Sequence, residues 1–169
     1  MAVRGMRSEV TVVQHISVAD TIFAGTLAGM VGGVLFAVFA MGTSIMNGAD
    51  ILSPFRLTGA AFVGSGALEG GSVIVIYGLL LHIITSIIWG TLFAAILPRE
   101  ASLGATMVAG LIYGLIVMLV MLYLVLPVVN PVMREAVDGT TSFTIEHLIY
   151  GGSLSLVPML RRQFAVHVE

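Results

Sequence analysis

The chain has 169 residues, 58% of them hydrophobic and 9% charged, with a mean hydropathy of +1.08. A soluble domain carries roughly 45–50% apolar residues, so this composition excludes a soluble fold and points to a bilayer. A net charge of −2 without a single lysine leaves no basic surface for nucleic acid, and the absence of cysteine excludes disulfides, thiolate metal sites and thiol chemistry.

In chain order, residues 1–20 form an amino-terminal segment with Arg4 and Arg7, weakly amphipathic from Glu9 to Asp20. Four long apolar stretches follow: Thr21 to Met46, Val73 to Leu97, Leu103 to Leu126 and Thr141 to Leu160. The first three lack charge, and the fourth contains the only carboxylate of any span, Glu146. A helix needs about 20 residues to cross the hydrocarbon core, and all four stretches reach that length. The first lies too far from the start, and is too long, to read as a cleavable signal core. The predicted fold is therefore all-α, a polytopic four-transmembrane-helix bundle over residues 21–162, with a tail at 163–169.

Pro98 is expected to end the second span, Pro127 and Pro131 the third, and Gly139 to precede the fourth. The loop from Asn47 to Ser72 contains Phe55, Leu57 and Phe62, which suit either a short helix on the membrane interface or a re-entrant turn packed on the bundle. Arg4, Arg7, Arg99, Arg161 and Arg162 flank the spans on one side, with Arg56 and Arg134 on the other. That asymmetry predicts both termini in the cytoplasm and the 47–72 loop outside.

Gly25, Gly29 and Gly33 recur every four residues on the first span, as do Gly110 and Gly114 on the third. Such small faces let backbones approach in lipid, and packing within the chain is the expected use. Ala28-Gly29-Met30-Val31-Gly32-Gly33 also matches Ala109-Gly110-Leu111-Ile112-Tyr113-Gly114, and Leu81-His82-Ile83-Ile84 matches Glu146-His147-Leu148-Ile149. The halves then read as a candidate tandem repeat of two helical hairpins, related by an axis along the membrane normal. In that repeat His82 and His147 are mates, about 13 and 9 Å into parallel helices from the outer end.

Three readings of the histidine pair stay open. The rings can be structural, bonded to Thr85, Ser86, Thr144 or a backbone carbonyl. They can hold a haem, with haem b the candidate cofactor, or a metal, as a bis-histidine electron-transfer site. With Glu146 they can handle protons in a proton-linked channel or acid-response protein, although a carboxylate near a helix start can also reach the headgroups. Glu146 and His147 are adjacent and about 100 degrees apart on a helix. No hydrolase elbow, zinc-protease helix or phosphate loop is present, so no catalysis, catalytic residue or dedicated metal site is expected. The ten methionines are read as core filling.

Across the second to fourth spans, His82-Ile83-Ile84 followed by Ser86-Ile87, the Phe93 to Pro98 end, the Gly110 to Gly114 face, and His147-Leu148 before Arg161-Arg162 resemble the YagU-like family of small bacterial inner-membrane proteins. The resemblance covers roughly half the chain, departs in the 47–72 loop, and implies a four-helix inner-membrane protein associated with tolerance of acid. Little mass outside the membrane, glycine faces and a long outer loop together predict a non-catalytic accessory or stabilising subunit whose partners are the lipid bilayer and other membrane protein subunits.

Overall fold

A computed structural model describes residues 13–137 and 139–168, so Arg4 and Arg7 lie outside the described residues. The fold is helical except for one short antiparallel pairing of β1 (Val13–His15) with β2 (Val166–Val168), which joins the two ends of the described chain. Three helices are long and apolar enough to cross a membrane: α1 (Val18–Met46), α3 (Ser72–Ile96), and the run Leu103–Val129 that begins with α4 (Leu103–Val120).

Helix α1 begins three residues before the expected span because Ser17 and Asp20 close a capping box. The Ser17 amide donates to Asp20 Oδ2 at 2.7 Å, and the Asp20 amide donates to Ser17 Oγ at 3.1 Å. Helix α3 stops at Ile96, ahead of Pro98. Pro127 does not end the third span. It has no N–H for the preceding turn, and the chain absorbs this with a π-helical turn at Met121–Val125 before continuing through α5 (Leu126–Val129). The break comes at Asn130, after which Pro131 opens α6 (Pro131–Val137).

The fourth stretch is a broken helix: α7 (Thr141–Ser153), a 3-10 turn at Leu154–Leu156, and α8 (Val157–Phe164). Pro158 removes a helical N–H just where the turn tightens. This segment runs alongside α4 and α1 and returns the chain to the end where α1 began. There Arg161 is 1% exposed and donates to the carbonyls of Ala94, Leu97 and Pro98. A guanidinium over a helix C-terminus satisfies carbonyls that have no intrahelical donor and opposes the negative end of the dipole.

Two glycine contacts set the helix pairs. A Cβ on Gly25 would lie 2.7 Å from Thr91 Cα, one on Gly29 2.5 Å from the Ser86 carbonyl, and one on Gly33 2.6 Å from Ser86 Oγ, so α1 presses its small face onto α3. Gly110 and Gly114 of α4 press in the same way against the carbonyls of Gly151 and His147 on α7. These glycines are thus filled from within the chain, and the two contacts share a register. Gly29 meets Ser86, one turn after His82, and Gly110 meets Gly151, one turn after His147. The 47–72 loop folds into α2 (Ser53–Val63) and a 3-10 turn at Gly64–Glu69. Helix α2 packs antiparallel on the first turns of α3, Gly59 against Ile74 and Phe55 against Gly78, so the loop combines the short helix of one alternative with the bundle packing of the other.

Gly90 has the Gly29 Cα 2.6 Å from where its Cβ would sit, whereas Gly42 on α1 has nothing within 4 Å. Gly90→Leu is expected to cost about 1–3 kcal/mol by overpacking, lowering the thermal midpoint of the detergent-solubilised protein, while Gly42→Ala leaves it unchanged or raised.

Candidate functional site

Helix α3 packs on α1, α1 on α7, and α7 on α4, but the contact between α3 and α4 is narrow. It centres on Tyr113, whose hydroxyl donates to the Trp89 carbonyl at 2.9 Å and whose ring packs 6.3 Å from that of Trp89 and 5.1 Å from that of Phe93. Beyond this contact the helices part around a cavity of about 540 Å³. Its inner wall holds His82, Thr85, Ser86 and Trp89 from α3, Phe36 from α1, and Glu146, His147 and Tyr150 from α7.

The cavity is blind toward the end of the bundle that carries β1 and β2. Ala24, Ala28, Phe93, Ala94, Leu154 and Val157 form a closed apolar cluster there, each at most 2% exposed. At the other end α2 and α6 cover it. Asn130, 2% exposed, donates through Nδ2 to the Leu57 carbonyl at 2.8 Å and accepts from the Met133 amide at 3.0 Å. Arg56 reinforces the cover by donating to the Gly70 carbonyl at 3.1 Å and pairing with Asp50 at 2.8 Å. Asp50 lies outside the spans, and the Leu52 amide together with Arg56 holds its carboxyl below the usual range. The exposed lining residues are Asn47, Ala49, Val129 and Ala136 near the cover and Ile88 on the flank of α3.

Both histidines line this space but do not stack on each other. Each packs on Phe36, with ring centroids 5.2 Å from it in both cases. His82 Nε2 lies 2.9 Å from the Gly33 carbonyl, and His147 Nδ1 lies 2.8 Å from the Phe143 carbonyl. A carbonyl only accepts, so each of these nitrogens carries the proton, and the opposite nitrogen of each neutral ring is an acceptor. Thr85 and Thr144, considered as partners from sequence, make no bond to either ring. Glu146 is 6% exposed and stands in the cavity wall, not at the headgroups.

Several donors around the cavity are committed, while the side chains of Ser44, Asn47, Ser53, Thr85, Trp89 and Ser142 in its lining make no hydrogen bond among the described residues. Tyr150 donates to the Ser86 carbonyl at 2.7 Å, Ser86 to the His82 carbonyl at 2.8 Å, and Thr58 to the Pro54 carbonyl at 2.9 Å. Among the described residues Arg161 Nε is the one closed-off side-chain nitrogen or oxygen without a partner. The unbonded ring nitrogens of His82 and His147 and the Glu146 carboxylate therefore open onto the cavity surface.

Each imidazole packs on Phe36, and among the described residues no three His, Cys, Asp or Glu side chains converge as a metal cage would require. Comparison of the chain with known protein families, with characterised proteins and with solved structures finds no match.

The Arg161 cap is a feature that sequence reasoning placed elsewhere, whereas the cavity position of Glu146 beside the histidines is one of the two it left open. The role of Asn130 was missed altogether, although a lone Asn between two helix-interrupting prolines is a signal that could have flagged it. Asn130→Ala removes the second donor on the Leu57 carbonyl and the side-chain acceptor of the Met133 amide, at about 0.5–1.5 kcal/mol. The expected result is severalfold faster amide exchange across α2, with α1 and α3 still protected. Unchanged protection would mean that the α2 to α3 contact alone holds the cover.

Proposed function

We propose that this chain is a non-catalytic, four-span protein of a bacterial-type cytoplasmic membrane that binds a small molecule in the cavity beside His82 and His147. The observation that carries this reading is the cavity itself. Its volume falls within the roughly 300–1,000 Å³ typical of ligand sites, its walls combine apolar area with a few convergent polar groups, and its closed apolar end suits a pocket better than a channel.

Four crossings are supported by the pairing of β1 with β2. Three crossings alone would leave the two ends on opposite sides, whereas the broken segment from α7 to α8 brings them together. The shared register of the two glycine contacts supports the tandem repeat of hairpins. The residues that carry the YagU-like resemblance build the α4 to α7 contact and part of the cavity wall, and we include that kinship in the proposal. The chain has no cysteine of its own, so single cysteines can report topology without background. A cysteine at Ser65 is expected to react with an impermeant maleimide from outside intact cells, and one at Ser102 only after permeabilisation. Labelling of both from one side would refute the arrangement.

A second reading, an accessory subunit of a larger membrane assembly, keeps the support of the small mass outside the spans. Two of its other supports are used within the chain: the glycine faces pack internally, and the 47–72 loop covers the cavity. Native mass spectrometry of the protein released from its own membranes separates the two. The binding reading expects a particle containing this chain alone with a stoichiometric small-molecule adduct. Stoichiometric co-migration with other polypeptides would favour the subunit reading, and a bare chain would count against binding.

A further inference from the structure

We infer that the cavity selects an apolar molecule carrying a hydroxyl donor, of the alkylphenol or hydroquinone class, and that this molecule enters from the bilayer through the gap between α3 and the α4 run. The inference rests on the binding reading above and adds the chemistry of the ligand. Its basis is a pair of imidazole acceptors that make no bond among the described residues and open onto the cavity. The hydroxyls of Tyr150, Ser86 and Thr58 are already donated to backbone carbonyls. The Asn130 amide is committed to the Leu57 and Thr58 carbonyls. The inner wall keeps the Trp89 indole N–H and the Thr85 hydroxyl as uncommitted donors. Its uncommitted acceptors are His82 Nδ1 and His147 Nε2.

A group that fits two imidazole acceptors must bring its own hydrogens. A ligand with only ether or ester oxygens would leave the ring nitrogens unpaired inside the bilayer, where unsatisfied polar groups are costly. The rest of the ligand must be apolar. The lining between the helices is Leu81 and Ile88 from α3 and Val117, Met121 and Val125 from the α4 run, with Ile88 52% exposed on the flank. A hydroxylated ring at the histidines would leave its alkyl chain running out past these side chains into lipid. A fully polar solute has no such route.

Trp89 is the only tryptophan of the chain and lines the cavity, so its emission reports occupancy directly. The full-length protein in phosphatidylcholine nanodiscs would be titrated with 4-nonylphenol and with 4-nonylanisole, its methyl ether, with affinities expressed per mole fraction in the bilayer. The expected result is a saturable change in Trp89 emission with the phenol at an apparent affinity about tenfold or more above that of the ether, the scale of one or two hydrogen bonds. His147→Leu is expected to bring the two within about threefold, and His147→Gln, which keeps a cavity-facing acceptor, to retain most of the preference. The wild-type comparison needs no variant to fold. Equal affinity for phenol and ether would overturn the donor selectivity while leaving the binding reading in place. No saturable response to either compound would overturn both.

Discussion

The structure depends on backbone-to-backbone approach at its glycines. In a bilayer the exclusion of apolar side chains from water gives helices no reason to prefer one another over lipid, so association must come from close van der Waals contact and interhelical hydrogen bonds. Gly25, Gly29 and Gly33 meet Ser86 and Gly90, and Gly110 and Gly114 meet Gly151, at distances that leave no room for a side chain. Once those pairs are fixed, other features follow from them. His82 Nε2 reaches the Gly33 carbonyl because α1 lies that close to α3, and Tyr150 reaches the Ser86 carbonyl across the same junction.

The cavity comes from a difference between the proposed repeats. Gly32 and Tyr113 hold matching places, one residue before Gly33 and Gly114. Gly32 is small enough for Tyr150 and Ser153 of α7 to close against α1, so that junction is broad. Tyr113 instead projects its ring onto Trp89 and Phe93 and holds α4 away from α3. One junction seals and its counterpart opens. A symmetric pair of hairpins with glycine at both positions would have closed around a solid core, with no space beside the histidines.

How much of this was legible in the sequence depends on how local each signal is. The glycine spacing is a local signal, because residues four apart on a helix share a face whatever the partner. The end of α3 before Pro98 is local as well. Pro127 misled because a π turn lets a helix pass a proline when the surrounding packing holds both sides, and nothing in the neighbouring residues announces it. Arg161 reads from sequence as a topology-setting charge. Its role over the α3 carbonyls depends on the broken helix returning to the turn at 97–102, which no local pattern encodes. Asn130 and the α2 cover are likewise contacts between segments some seventy residues apart, visible only once the chain is folded.

The uncommitted acceptors are the part of the structure that folding alone does not account for. Around the cavity, the hydroxyls of Ser86 and Thr58 find carbonyls one turn away, and the helical ladder satisfies the backbone. A chain able to place Tyr150 against the Ser86 carbonyl and Asn130 against the Leu57 carbonyl could equally have placed a hydroxyl against each ring nitrogen, or leucine in place of each histidine. Leucine at both positions would remove polar groups whose burial in hydrocarbon is unfavourable. Departures from local consistency concentrate where a protein acts. Here the two imidazoles and Glu146 line the same cavity, beside a flank of apolar side chains.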